Sequence, residues 1–263
     1  MKQTLRAGLW ALLAVSLASG CTRQSVNDGG GADATGSLGS PTVPDSPATV
    51  YIDLSAAYLR ENQLTDSYKN AKKAVIVDPR SSNAHLMLAI VQQRLGEVDA
   101  AASSYRKAVS LDPRNPDALN AFGSFLCERK DFDDADKHFR RALANPLYRT
   151  PWIAWHNAGQ CQEMAGDAKR AEADYRGALQ VNPRFAPSLL SMAKISFNDD
   201  NFLSTRAYLQ RYGEVAAHTA ESLWLGYRTE RQLGDKDQTA SYGLKLKSKF
   251  PDSQEAKYLQ SSE

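Results

Sequence analysis

Ser104–Asn115 reads SYRKAVSLDPRN, and Asp174–Phe185 repeats nearly the same phrase as DYRGALQVNPRF. Each places a Tyr, then an Ala three positions on, then a Pro (Tyr105, Ala108, Pro113; Tyr175, Ala178, Pro183). Pro lacks an N–H and disfavours helical geometry in the residue before it, so each phrase ends a helix. Pro79, Pro113, Pro183 and Pro251 all follow such stretches, at intervals of 34, 70 and 68 along the chain. Those intervals are one, two and two periods of 34, with two positions to spare in the middle one. The surplus falls in NPLYRTP, Asn145–Pro151, which predicts a longer connection there.

Working outward at this period divides the chain into six units. The first, 48–81, carries Tyr51, Leu54, Tyr58, Ala74 and Pro79. The second, 82–115, carries Leu88 and Ala89, a turn at Gly96, then Ala101, Tyr105 and Ala108. The third, 116–149, offers Phe122, Gly123, Ala135, Phe139 and Ala142. The fourth, 152–185, offers Trp155, Ala158, Gly159, Gly166, Ala171, Tyr175 and Ala178. The fifth, 186–219, is degenerate, with Thr205 and Leu209 where Ala and an aromatic are expected. The sixth, 220–253, has Trp224, Leu225, Gly226, Gly234, Ala240 and Phe250–Pro251. Two antiparallel helices approach closely only where side chains are small, and a bulky ring fills the gap beside them. The pattern resembles the tetratricopeptide repeat, a helix-turn-helix unit of about 34 residues. The resemblance implies an all-α fold, a tetratricopeptide-repeat superhelix of six units whose first helices line a concave groove for peptides or protein segments. At the entry to the C-terminal cap 254–263, Asp252 stands three residues before Glu255, a capping-box spacing that would open a short terminal helix over the last apolar face.

Composition agrees: the 263 residues are 42% hydrophobic and 24% charged, without alternating Val/Ile runs. The formal charge is +2, and removing positions 1–20, which hold Lys2 and Arg6, takes the 32 basic residues to 30 against 30 acidic ones. Nucleic-acid binding needs a basic surplus to neutralise phosphates, so that class is set aside.

The N-terminus reads as an address. Lys2 and Arg6 precede the apolar run Ala7–Ala18, too short for a membrane of about 30 Å but suited to a secretory signal. LASGC then ends at Cys21. Small residues before a Cys resemble the bacterial lipobox, although Ala18 stands where Leu is commoner. Residues 1–20 are thus expected to be a lipoprotein signal peptide and Cys21 the lipidated mature N-terminus; an ordinary signal peptide that leaves Cys21 as a stray thiol is the plainer alternative. Thr22, rather than Asp, implies by the same resemblance an outer-membrane location facing the periplasm. Residues 22–47 are rich in Gly, Ser, Pro and Asp, the composition of a flexible linker.

Signatures of catalysis are missing: no HExxH, GxSxG, phosphate loop or dinucleotide fingerprint occurs. His85, His138, His156 and His218 lie far apart, and His85 occupies a packing position. The acidic run from Asp131 to Asp136 sits at a helix start, where carboxylates suit the macrodipole. No enzyme activity, cofactor, metal or small-molecule substrate is therefore expected. Cys127 and Cys161 fall late in the first helices of adjacent units, so in an oxidising compartment they form a disulfide if geometry allows, and otherwise remain two buried thiols.

Finer motifs extend through nearly all of 48–256: NAFGSFLCE at Asn120–Glu128, RALANPLYRTPWIAWHNAGQC at Arg141–Cys161, NPRFAPSLL at Asn182–Leu190, and AESLWLGYRTERQLGDKDQTASYGLKLKSKFPDSQEA at Ala220–Ala256. These resemble the type IV pilus biogenesis and stability lipoproteins of the PilF/PilW family. The resemblance implies an outer-membrane pilotin that binds PilQ-type secretin subunits, promotes their localisation and assembly, and supports twitching motility. A tethered periplasmic scaffold for another outer-membrane or cell-wall machine is the alternative. Superposing the units places Asn83, Leu86, Ile90, Asp117, Asn120, Ser124, His156, Gln160, Glu163, Leu190 and Lys194 on the groove, with Leu86 and Ile90 as exposed apolar contacts.

Overall fold

The computed structural model describes residues 47–262, so the signal segment, Cys21 and nearly all of the linker lie outside the described residues. Thirteen helices make up the described chain. They are α1 (Pro47–Arg60), α2 (Leu64–Val77), α3 (Ser82–Arg94), α4 (Val98–Leu111), α5 (Pro116–Glu128), α6 (Phe132–Leu143) and α7 (Pro151–Ala165). Then come α8 (Ala168–Val181), α9 (Ala186–Asn198), α10 (Phe202–Val215), α11 (Ala220–Leu233), α12 (Lys236–Lys249) and α13 (Gln254–Ser262). Each odd-numbered helix from α1 to α11 packs on the even-numbered one after it, and second helices then touch the first helix of the next unit. The result is the tetratricopeptide superhelix.

Each hairpin needs one residue in the left-handed backbone region to reverse the chain. Asn62, Gly96, Lys130, Gly166, Asp200 and Gly234 hold that position at φ between 56° and 83°. Their numbers keep the period read from the prolines, with two extra positions between Lys130 and Gly166 alone. That surplus lengthens the connection at 144–150, and it is packed, not loose: Tyr148 is buried against Leu119, Ala142 and Ala154. The cap of α5 also joins two units. Asn115 accepts from the N–H groups of Asp117 and Ala118, while its amide donates to Ser82 Oγ and Asn83 Oδ1 of the preceding unit.

Inside each hairpin the small residue is a spacing device. A Cβ added at Gly159 would lie 2.7 Å from the Tyr175 ring, and one at Gly123 would lie 2.9 Å from Phe139. Tyr175 and Phe139 are fully buried. The fifth unit keeps this geometry with Thr205 and Leu209, both buried, so its altered residues are substitutions within the packing and not a departure from it. Two details differ from the sequence-based expectation. In the sixth unit Thr239, not Ala240, occupies the inward position, since its N–H bonds to Asp235 O as that of Ala101 does to Glu97 O, and Ala240 is exposed. At the last helix Ser253, not Asp252, is the cap, accepting from Ala256 N–H at 3.1 Å, and α13 buries Ala256 and Leu259 against Leu223 and Leu246.

Ion pairs tie successive second helices together. Arg140 of α6 grips Asp174 of α8 with two bonds of 2.7 Å, and Asp174 is almost entirely buried. Asp136 pairs with both Arg140 and Arg170, so the acidic run seen in the sequence contributes an inter-unit bridge.

Because the ring of Tyr175 leaves no room at Gly159, Gly159→Ala is expected to lower unfolding free energy by about 1–3 kcal/mol in denaturant titration.

Candidate partner-binding site

Each first helix is covered on one side by its own second helix and on another by the neighbouring units. Only a narrow strip is left facing the groove. That geometry sorts the sequence-derived groove positions. Leu86 and Ile90 are 2% and 7% exposed and belong to the core formed with α1 and α5, so they are not exposed apolar contacts. Asn120 is buried and accepts from Asn157 Nδ2 at 3.1 Å, joining α5 to α7. Leu190 is half-buried between two core clusters, and Lys194 is ion-paired with Glu221. Asn83 is exposed but engaged by Asn115.

His156 is also buried, with Nδ1 3.0 Å from Ser188 Oγ and its ring between Tyr175 and Phe185. Burial, reinforced by the nearby positive charge of Lys194, lowers its pKa to about 4. Asp117 is half-buried, and burial raises its carboxyl to about 6. His156 is thus a packed, neutral side chain and not an open groove contact.

The remaining positions converge. Ser124, Gln160 and Glu163 line a cavity of about 330 Å³ between α5 and α7, together with Cys127, Glu128, Asn157, Cys161 and Met164. Its floor is the Cys127–Cys161 pair, which is disulfide-bonded with the Cα atoms 5.7 Å apart. Glu128 closes α5 and Glu163 lies in the last turn of α7, so the negative ends of two helix dipoles point at the same opening. Each carboxylate is held by a neutral donor. Gln93 Nε2 donates to Glu128 at 2.7 Å, with Gln93 itself accepting from Tyr105 OH. Tyr175 OH donates to Glu163. Both phenols are pushed upward in pKa, first by burial, then by the carboxylate beside them. Superposition of the units missed Glu128, Asn157 and Met164; their signal was adjacency to the two cysteines, with Glu128 directly after Cys127 and Met164 three residues after Cys161.

Tetratricopeptide-repeat family models match residues 52–118, 126–188 and 104–137. The type IV pilus assembly protein PilF of Pseudomonas aeruginosa is 31% identical over 257 residues, 98% of either chain. The chain belongs to the PilF/PilW family of type IV pilus tetratricopeptide-repeat proteins. A solved structure from the functional characterization of Pseudomonas aeruginosa PilF superposes with a TM-score of 0.74 at 30% identity, covering 82% of this chain and 97% of that one. The structure of PilW, a widely conserved type IV pilus biogenesis factor, gives 0.71 at 29% identity with the same coverage. Stacked repeats of this kind present an extended concave binding surface.

Two outcomes are expected. Closing a loop of 34 residues stabilises by about 3–4 kcal/mol in the chain-entropy model, so a Cys127→Ser/Cys161→Ser double variant should lose that amount in urea titration. His156 is neutral when folded but takes up a proton below its ordinary value of 6.5 when unfolded, so its contribution is lost as pH falls toward 4. Asp117 acts in the opposite sense below pH 6, so the effect of His156 is read as a difference between variants. From pH 7 to pH 5 the wild type should lose roughly 2 kcal/mol relative to His156→Gln, measured as unfolding free energies at each pH.

Proposed function

We propose that the protein is an outer-membrane pilotin: anchored by lipid at Cys21, it holds PilQ-type secretin subunits on its concave face and promotes their localisation and assembly for pilus biogenesis and twitching motility. Similarity to a type IV pilus assembly protein along 98% of the chain carries this reading. The residue pattern at the N-terminus supports it, because small residues lead into Cys21 and Thr22 follows. The mechanism is physical. An acylated N-terminus confines the scaffold to one leaflet, where several chains at about 0.8 kcal/mol per buried methylene make release negligible. Secretin subunits bound to the repeats then meet at a raised local concentration, and assembly is favoured without any covalent chemistry. A flexible Gly/Ser-rich linker of the length of 22–47 would reach roughly 30 Å, enough for the repeats to sample positions around the anchor.

Cys21→Ser tests this. Cell fractionation should find the variant in the soluble periplasm, with secretin multimers in the outer membrane sharply reduced and twitching lost. Secretin multimers at full level in the outer membrane of the variant strain would contradict the proposal.

A further inference from the structure

We infer that the cavity between the C-terminal ends of α5 and α7 seats an arginine or lysine side chain presented by an extended segment of a protein partner. The inference rests on the reading above that the concave face holds a protein partner, and it names the chemistry by which one part of that face recognises it.

Charge is the first argument. Glu128 and Glu163 both line the cavity, and among the described residues neither forms an ion pair. Their hydrogen-bond partners are neutral: the Gln93 amide and the Tyr175 hydroxyl. Elsewhere the buried carboxylates are neutralised, Asp174 by Arg140 and Glu230 by Arg206. The two cavity carboxylates, both solvent-exposed, are thus oriented by hydrogen bonds and have no cationic partner among the described residues. The terminal carbonyls of α5 and α7 add to that potential.

Shape is the second. The floor is the Cys127–Cys161 disulfide, and Met164, which is 56% exposed, forms part of the wall with its sulfur 3.9 Å from Cys127 Sγ. Sulfur is polarizable and apolar, a surface on which the methylene stem of Arg or Lys packs while its charged head stays at the rim. Asn157 and Gln160 also line the cavity, and their side-chain amides carry oxygens able to accept from a guanidinium or ammonium. An acidic or purely apolar side chain would leave both carboxylates facing it without compensation.

The test pans a displayed library of random heptapeptides on the detergent-solubilised full chain and measures selected peptides by calorimetry. Selected peptides should carry Arg or Lys, and the Glu128→Gln/Glu163→Gln double variant should bind them at least roughly tenfold more weakly, because charge-assisted bonds become neutral ones. Gln keeps the acceptor that Tyr175 needs, and melting followed by circular dichroism checks that the variant is folded. Met164→Lys, a change at an exposed position, fills the cavity with a cation of its own and should weaken binding as much; it carries the test if the double variant does not fold. Selection of peptides without basic residues, undiminished binding by the variants, or no selection at all would overturn the inference. A periplasmic secretin fragment titrated in parallel separates the two readings. If basic peptides occupy the cavity but the fragment does not bind the wild type, the pilotin reading fails and the cavity assignment stands. If the fragment binds wild type and double variant equally, the cavity assignment fails and the pilotin reading stands.

Discussion

The structure depends on how closely two helices of a hairpin approach. At Gly159 the backbone lies so near the Tyr175 ring that even a methyl group would meet it at 2.7 Å. The same relation recurs between Gly123 and Phe139. The spacing it sets aligns each hairpin with the next, so first helices stand side by side and present one edge to the groove. Everything placed on that edge, including the disulfide and the two carboxylates beyond it, inherits its position from this contact.

Most of the architecture is visible in residue spacing, because its causes are local and repeat. A small residue, a ring sixteen positions on and a proline at the end of the second helix are each required by packing or backbone geometry. Even the fifth unit, where Thr205 and Leu209 replace the usual pair, holds its place through Asp200 in the left-handed turn. What spacing did not resolve are one-residue matters. Ser253 caps α13 in place of Asp252, and Thr239, five positions after Gly234 as Ala171 is after Gly166, takes the inward position in place of Ala240.

The groove was less legible, for a physical reason. A helix in a stacked array has several partners, and periodicity alone does not say which side is buried by which. Leu86, Ile90, Asn120 and His156 sit on first helices as expected, yet neighbouring units cover them. Ser124, Gln160 and Glu163 escape because they line the cavity beside the disulfide that joins α5 to α7. The buried polar residues among the others serve cohesion: Asn120 bonds to Asn157 and His156 to Ser188, joining one unit to the next.

The central claim is that a ring pressed against a residue without a Cβ sets the spacing of the hairpins in the third, fourth and sixth units. A double-mutant cycle addresses it most directly, measuring the unfolding cost of introducing a methyl at position 159 with Tyr175 intact and again with Tyr175→Leu. The account predicts strong coupling, with the cost falling by about 1 kcal/mol or more once the ring is gone. An equal cost in both backgrounds would contradict it.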